Sequence, residues 1–342
     1  MTETPPLFAE TPARPGRTGG SPDVLSEMLR AVRLTGSVFF RGSFTAPFAV
    51  VTPKRWDAGT PLAHLRHISI FHLIVKGGCN IELASGTRRE IQAGDVLLMP
   101  FADQHKFWNG EPRAIAYAPD LIAPGPIEGM VMSHYGGGGE EMRVVCGFLE
   151  SSEFLVMPVF RSLPELVVDR TDDDKVGALI ASTVGEIVTL VEAAKPGSQV
   201  MLGRLMELLF VEVLRRHMVR LPAESTGWLA ALNDSIVGRA LTLVHADPAR
   251  RWTAEDLARE SGSSRTVLAE RFNALLGKPP IEYVISWRIQ LAAERLRGSR
   301  DGIAMIAADV GYESEAAFNR AFKRVTGVTP GRWRDEGSGA TV

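Results

Sequence analysis

The feature that most constrains this chain is a punctuation that occurs twice. Residues 303–330 read IAMIAADVGYESEAAFNRAFKRVTGVTP. Ile303, Ile306, Ala307 and Val310 recur at i, i+3, i+4 and i+7, which predicts one apolar stripe on a short helix closing at Gly311. The spacing restarts at Phe318, Ala321, Phe322 and Val325, with Ser314 placed to cap the second helix and Gly327 to stop it. Two short amphipathic helices joined at a glycine are the helix-turn-helix pattern. Residues 257–280, LARESGSSRTVLAERFNALLGKPP, repeat it. Leu257 to Gly262 and Ile306 to Gly311 are both five residues, as are Phe272 to Gly277 and Phe322 to Gly327. Gly277 to Pro280 and Gly327 to Pro330 are both three, and only the Gly262 to Phe272 and Gly311 to Phe322 intervals differ, ten against eleven. The spacing predicts a duplicated reading head.

In the second head, burial of the phenylalanines leaves Glu315, Ala316, Asn319, Arg320 and Lys323 outward, residues small or polar enough to enter a major groove. In the first, Val267, Leu268, Phe272 and Leu275 are expected to face the core and Arg265, Thr266, Ala269, Glu270 and Asn273 to face out, with Ser263 or Ser264 as cap. Arg271, Lys323 and Arg324 suit phosphate contacts that set register. Thr253, with Asp256 three residues on, starts the helix before the first turn, and residues 234–246 form the helix before that. Between the heads, residues 281–297 predict one helix of roughly 25 Å, able to hold two recognition helices about one DNA turn apart.

Charge neither demands nor forbids nucleic acid. The 342 residues carry a net charge of -2. Residues 246–336 hold 15 Arg and Lys against 13 Asp and Glu, net +2, leaving 23 against 27, net -4, elsewhere. DNA affinity would therefore come from placement of arginines rather than bulk charge. With 45% hydrophobic residues the length suits two or more domains with their own cores. No run of eighteen apolar residues occurs and the Pro-rich start resembles no signal peptide, so no membrane partner is expected. Cys79 and Cys146 fit no Cys-x-x-Cys spacing, which suggests a reducing cytoplasm.

Residues 1–20, rich in Pro, Gly and Thr, read as a disordered tail. Ser21-Pro22 opens a helix to about Leu34 closed by Gly36. From Ser37 to about Phe160, short apolar runs (VFF, PFAVV, HISIFHLIV, NIELA, DVLLMP, RVVCGFL) broken by turn residues predict an all-β sandwich or barrel. His134 and the four glycines after it read as a loop, since no GKS or GKT follows.

Within that region, GDVLLMPFADQHKFWN resembles the second signature of the cupin family of small β-barrels, with Gly94, Pro100, His105 and Asn109 in place and Ala102 where a glycine stands. The first signature, which carries His-x-His and a Glu as metal ligands, is poorly matched: His72 meets the second histidine, but Ile70 and Lys76 replace the other ligands. Cys146, His67 and His134 are the remaining candidates, and no spacing places them, so neither metal nor cofactor is expected. His72, His105 and Trp108 are expected to line a pocket for a small effector, because small barrels commonly hold one ligand.

Past Pro164 the period becomes 3.6. Residues 172–195 and 198–220 predict two helices separated by Pro196-Gly197. The second is apolar around nearly its whole circumference and must be covered on all sides, either by the β-domain and a copy in a second subunit or as an intrachain core helix between two domains. Residues 221–227 read as a linker.

RIQLAAERL from Arg288, IAADVGY from Ile306, FNRAFKR from Phe318 and GVTPGRWR from Gly327 resemble the DNA-binding domain of the AraC/XylS family of bacterial transcription regulators. FHLIVKGG, AGDVLLMPFADQH and the Cys146-Gly147 strand resemble the cupin-type sensor of one branch of that family. The resemblance implies an α+β multidomain chain: a cupin-like β-barrel with flanking helices, then an all-α domain with two helix-turn-helix motifs. The implied division is a tail (1–20), an effector-sensing domain (21–163), a helical linker and dimerisation segment (164–226), a DNA-binding domain (227–336) and a tail (337–342). It further implies promoter DNA, a small-molecule effector, a second copy of the chain and RNA polymerase as partners. Carried over residue by residue, the DNA-facing positions are Arg265, Thr266, Ala269 and Glu270, then Glu315, Ala316, Asn319 and Arg320. The competing class is a metal-dependent cupin enzyme with an accessory helical domain, which the loss of ligand types at Ile70 and Lys76 argues against.

Overall fold

A computed structural model describes residues 23–26, 34–53, 68–151, 160, 162–170, 177–222 and 224–338. The tail over 1–20, residues 339–342, His67 and most of the helix expected from Ser21 lie outside the described residues, although 24–26 are helical.

Two sheets face one another in place of a single closed ring. The larger has the order β12-β6-β3-β11-β1-β10-β9. Its strands are β1 (Leu34–Thr45), β3 (Ile68–Lys76), β6 (Asp95–Met99), β9 (Ala123–Pro124), β10 (Val131–Gly136), β11 (Glu141–Ser151) and β12 (Val167–Arg170). The smaller, β5-β4-β7-β2-β8, is built from β2 (Phe48–Val51), β4 (Gly78–Leu83), β5 (Arg88–Gln92), β7 (His105–Asn109) and β8 (Ala116–Tyr117).

The near-continuous apolar run of β3 follows from burial on both faces. Ile68, Ile70 and Ile74 point between the sheets, whereas Phe71 and Leu73 point to the helical side. In β6 the same alternation sends Leu97 and Met99 inward and Val96 and Leu98 to the helices. Helices α1 (Gly177–Ala193) and α2 (Ser198–Val219) supply that cover.

Gly36 does not end a helix as expected; it lies in β1, paired with Leu149 of β11. The reason is the crossing of α2: a Cβ on Gly36 would sit 2.7 Å from the carbonyl oxygen of Gly203, and a Cβ on Gly203 would sit 2.6 Å from that of Gly36. Only two glycines allow this approach. Nor is α2 covered all round. Leu202, Met206, Leu209, Phe210 and Val213 are buried, but Val200, Met201 and Leu208 are 71%, 50% and 43% exposed.

The helical domain follows with α3 (Trp228–Asn233), α4 (Val237–Ala246), α5 (Ala254–Glu260), α6 (Arg265–Leu276), α7 (Pro280–Gly298), α8 (Ile303–Asp309), α9 (Glu315–Thr326) and α10 (Pro330–Ser338). One apolar core runs from the sheet's helical face through α1 and α2 to Trp228, Leu241, Leu268, Phe272 and Trp287. The second head has a separate core of Ile289, Leu296, Ile306, Phe318, Phe322 and Trp333. Among the described residues no helix is long and apolar enough to cross a membrane.

Candidate functional site

The duplicated punctuation becomes duplicated capping. The Thr253 side chain accepts from Asp256 N, that of Ser264 from Val267 N and that of Ser314 from Ala317 N, each opening a helix. Gly262 and Gly311 turn the chain between helices at φ 75° and 91°, and Gly277 and Gly327 end the recognition helices at φ 66° and 83°.

The outer faces differ in their partners. On α6, Arg265, Thr266 and Glu270 are exposed and Ala269 is half-buried. Arg265 is paired with Glu255 at 2.7 Å, and Arg271 is held by Asp234. Asp234 also accepts from the Ile236 and Val237 amides, so one carboxylate starts α4 and tethers the recognition helix. Val267, expected in the core, is 39% exposed, because Leu268 and Phe272 already fill the inward face. On α9, Glu315, Ala316, Arg320, Lys323 and Arg324 are exposed and Asn319 is half-buried. Arg320, Lys323 and Arg324 form no ion pair among the described residues.

Arg288 of α7, quoted above only within a motif, joins the heads. Its guanidinium donates to the carbonyls of Pro248 (2.7 Å), Arg250 (2.8 Å), Gly311 (3.1 Å) and Ala249 (3.3 Å). The loop before the first head and the turn of the second are thus fastened to one planar side chain.

Between the sheets lies an apolar cavity lined by Phe39, Phe40, Phe44, Val50, Phe107 and Val144, with His72 and His105 facing each other across it. A register irregularity in β1 between Val38 and Phe40 lets the adjacent Phe39 and Phe40 both reach it. The free space is about 50 Å³, below the 300–1,000 Å³ typical of ligand sites, so an occupant must displace side chains. His72 stands on the large sheet and His105 on the small one, their ring centroids 4.8 Å apart. His72 Nδ1 lies 2.8 Å from Cys146 Sγ. His105 Nδ1 lies 2.9 Å from the Asp103 carbonyl and 3.1 Å from Thr52 Oγ1. The Nε2 atoms of both rings are buried without a hydrogen-bond partner among the described residues. Burial lowers the His105 pKa to about 4; burial and then the neighbouring His105 hold His72 well below the usual histidine value. Burial also raises the Cys146 thiol, keeping it protonated.

Trp108 is not in the cavity wall. It alternates with His105 and Phe107 on β7 and pairs with Asn80 on the opposite face of the small sheet. His134 is exposed. Cys146, Thr52 and the β1 phenylalanines do line the cavity, and the sequence reading missed Thr52 and the phenylalanines as site residues. The metal positions of the cupin signature do not fit a metal: Ile70 is buried in the core and Lys76 is bound to Glu141 at 2.8 Å. Among the described residues no group of three His, Cys, Asp or Glu side chains is disposed to hold one.

Residues 23–219 match the family model described as cupin, and residues 257–336 match that of a helix-turn-helix domain. A putative AraC-like transcription regulator of Streptomyces lividans is 50% identical over 127 residues, 37% of this chain and 42% of that protein. The chain thus matches under half the length of that curated relative. The regulator AlkR of Acinetobacter baylyi is 27% identical over 280 residues, 78% of this chain and 88% of its own. Among solved structures, ToxT from Vibrio cholerae covers 91% of this chain and 100% of its own at 12% identity and a TM-score of 0.36, a likeness too slight to bear on either site. The relatives are regulators, which points away from an enzyme. The chain belongs to the cupin family, whose model matches residues 23–219, carries a helix-turn-helix domain at 257–336, and is similar over part of its length to AraC-like transcription regulators.

Proposed function

We propose that this regulator reads promoter DNA with both heads in successive major-groove segments, and that a small molecule in the inter-sheet cavity modulates it. The observation that carries the DNA reading is the free cationic face of α9, with Arg320, Lys323 and Arg324 exposed and unpaired among the described residues. Glu315, Ala316, Asn319 and Arg320 face bases there, and Lys323 and Arg324 hold phosphates. In the first head Arg265, Thr266, Ala269 and Glu270 approach bases less productively, and Arg271 contacts phosphate only after leaving Asp234. The DNA-binding domain spans 227–336, the effector domain 21–163, and 164–226 joins them. The effector reading rests on His72 and His105, whose buried Nε2 atoms have no partner among the described residues.

The exposed stripe Val200, Met201 and Leu208 on α2 suits a second copy of the chain, and the protein acts as a cytoplasmic homodimer that engages RNA polymerase. Selection of bound fragments from genomic DNA by the full-length protein tests the DNA reading. Recovery of one motif with two half-sites about 10 base pairs apart is expected; recovery of random fragments would refute it. Light scattering at micromolar concentration tests the dimer, and a monomer there would end that part of the proposal.

A further inference from the structure

The cavity's two unpartnered nitrogens differ in kind, and the difference follows from what each ring does with its other nitrogen. A carbonyl can only accept, so His105 Nδ1, 2.9 Å from the Asp103 carbonyl, carries the ring's hydrogen. The ring is neutral, which leaves Nε2 as a bare lone pair. His72 meets a different partner. The Cys146 thiol is protonated, and sulfur is a weak acceptor while an imidazole nitrogen is a good one. The 2.8 Å contact is therefore S–H donating to His72 Nδ1, which places the hydrogen of His72 on Nε2. One acceptor and one donor, both buried and both unsatisfied, thus line one cavity.

We propose that the cavity selects an uncharged small molecule with a single hydroxyl group, an alcohol or phenol on an apolar body, whose oxygen accepts from His72 Nε2 and whose proton goes to His105 Nε2. This rests on the reading of the cavity as the effector site. A hydroxyl is the smallest group that satisfies both nitrogens at once. An ether satisfies His72 and leaves His105 bare. A carboxylate finds one donor, and among the described residues no lining side chain carries a formal charge to offset its own. An ammonium group finds an acceptor and likewise no counter-charge. The surrounding Phe39, Phe40, Phe44 and Phe107 take up the apolar body.

The test uses the full-length protein and three compounds of similar size: p-cresol, 4-methylanisole and p-toluate at neutral pH. Titration calorimetry reads affinity, and 15N spectra of histidine-labelled protein read the hydrogen on each ring. The expected result is His105 protonated at Nδ1 and His72 at Nε2, with p-cresol binding at least about tenfold tighter than 4-methylanisole and p-toluate weakest. Binding of p-cresol must move the His72 and His105 signals. The reverse tautomer at either ring overturns the proposal, as does an ether or carboxylate that binds as well as the phenol; in those cases the cavity still takes a ligand. Binding by none of the three overturns both the hydroxyl selection and the effector reading.

Discussion

The two helix-turn-helix units share most of their spacing, the serine caps of their recognition helices and their terminal glycines, yet they sit in unequal surroundings. The first is continuous with the cupin-like domain: Trp228, Leu268 and Phe272 belong to the same apolar core as Phe71 of β3 and Phe210 of α2. The second closes its own core around Phe318, Phe322 and Trp333 and reaches the rest through α7 and the Arg288 clamp. Arg320, Lys323 and Arg324 of α9 form no ion pair among the described residues, where Arg265 and Arg271 of the first are tied to Glu255 and Asp234. A duplication thus supplies two copies of a fold, and packing sets them apart: one copy shares the core of the cupin-like domain, the other closes a core of its own.

The largest effect should come from the cores. Phe272→Ala and Phe322→Ala each remove a fully buried ring and should cost about 3–5 kcal/mol. Hydrogen exchange should show the Phe322→Ala loss confined to residues 289–333, whereas Phe272→Ala should also lower protection in α2 and β3. Equal spread in the two variants would erase the distinction between the cores.

Acidification should divide the molecule in the same place. His105, His72 and His245 are buried neutral, with His105 near 4 and His245 near 3 through burial. Their folded values lie below the unfolded value near 6.5, so the unfolded chain binds the extra protons and stability falls as pH drops from about 6.5 toward 4. For His105 alone the loss is on the order of 3 kcal/mol. No histidine follows His245 in the sequence. Protection in β7 should therefore fall between pH 7 and 5 while that in α9 holds; parallel loss in both would break the comparison.

At the DNA face, Arg320→Ala should weaken specific binding by about 1–3 kcal/mol and random DNA much less. Equal loss on both would remove Arg320 from base reading. Lys323→Ala should weaken all sequences alike and lower the salt slope by about one. The smallest effect concerns Asp234→Asn, which keeps an oxygen for the α4 amides and loosens Arg271. At an exposed pair this costs under about 1 kcal/mol of stability. It should raise the salt slope by about one, and an unchanged slope would show that Arg271 never reaches phosphate.

The reading heads were legible because their information is local. Caps, stripes and glycines lie within one helix of what they control, so Ser314 and Gly327 could be placed from spacing alone, and the cap of α6 was narrowed to Ser263 or Ser264, of which the structure uses Ser264. The cavity was legible only through His72 and His105. Thr52 and the β1 phenylalanines meet them across two sheets, and no local period encodes that meeting. Trp108 shows the limit from the other side: next to Phe107 in sequence, it faces the opposite way. Gly36 read as a helix stop because a glycine needed for close approach and one needed for a turn are the same letter. Arg288 carries no signal of its own, since its four acceptors are backbone carbonyls.

That crossing of Gly36 and Gly203 has a mechanical side. Packed elements usually absorb small displacements by rotating side chains, and here backbone meets backbone with nothing to rotate. The strand that carries Phe39, Phe40 and Phe44 into the cavity bears directly on the helix that carries Val200, Met201 and Leu208 outward. Strand and helix meet there without a compressible layer, so a displacement of β1 at Gly36 would pass to α2 at Gly203.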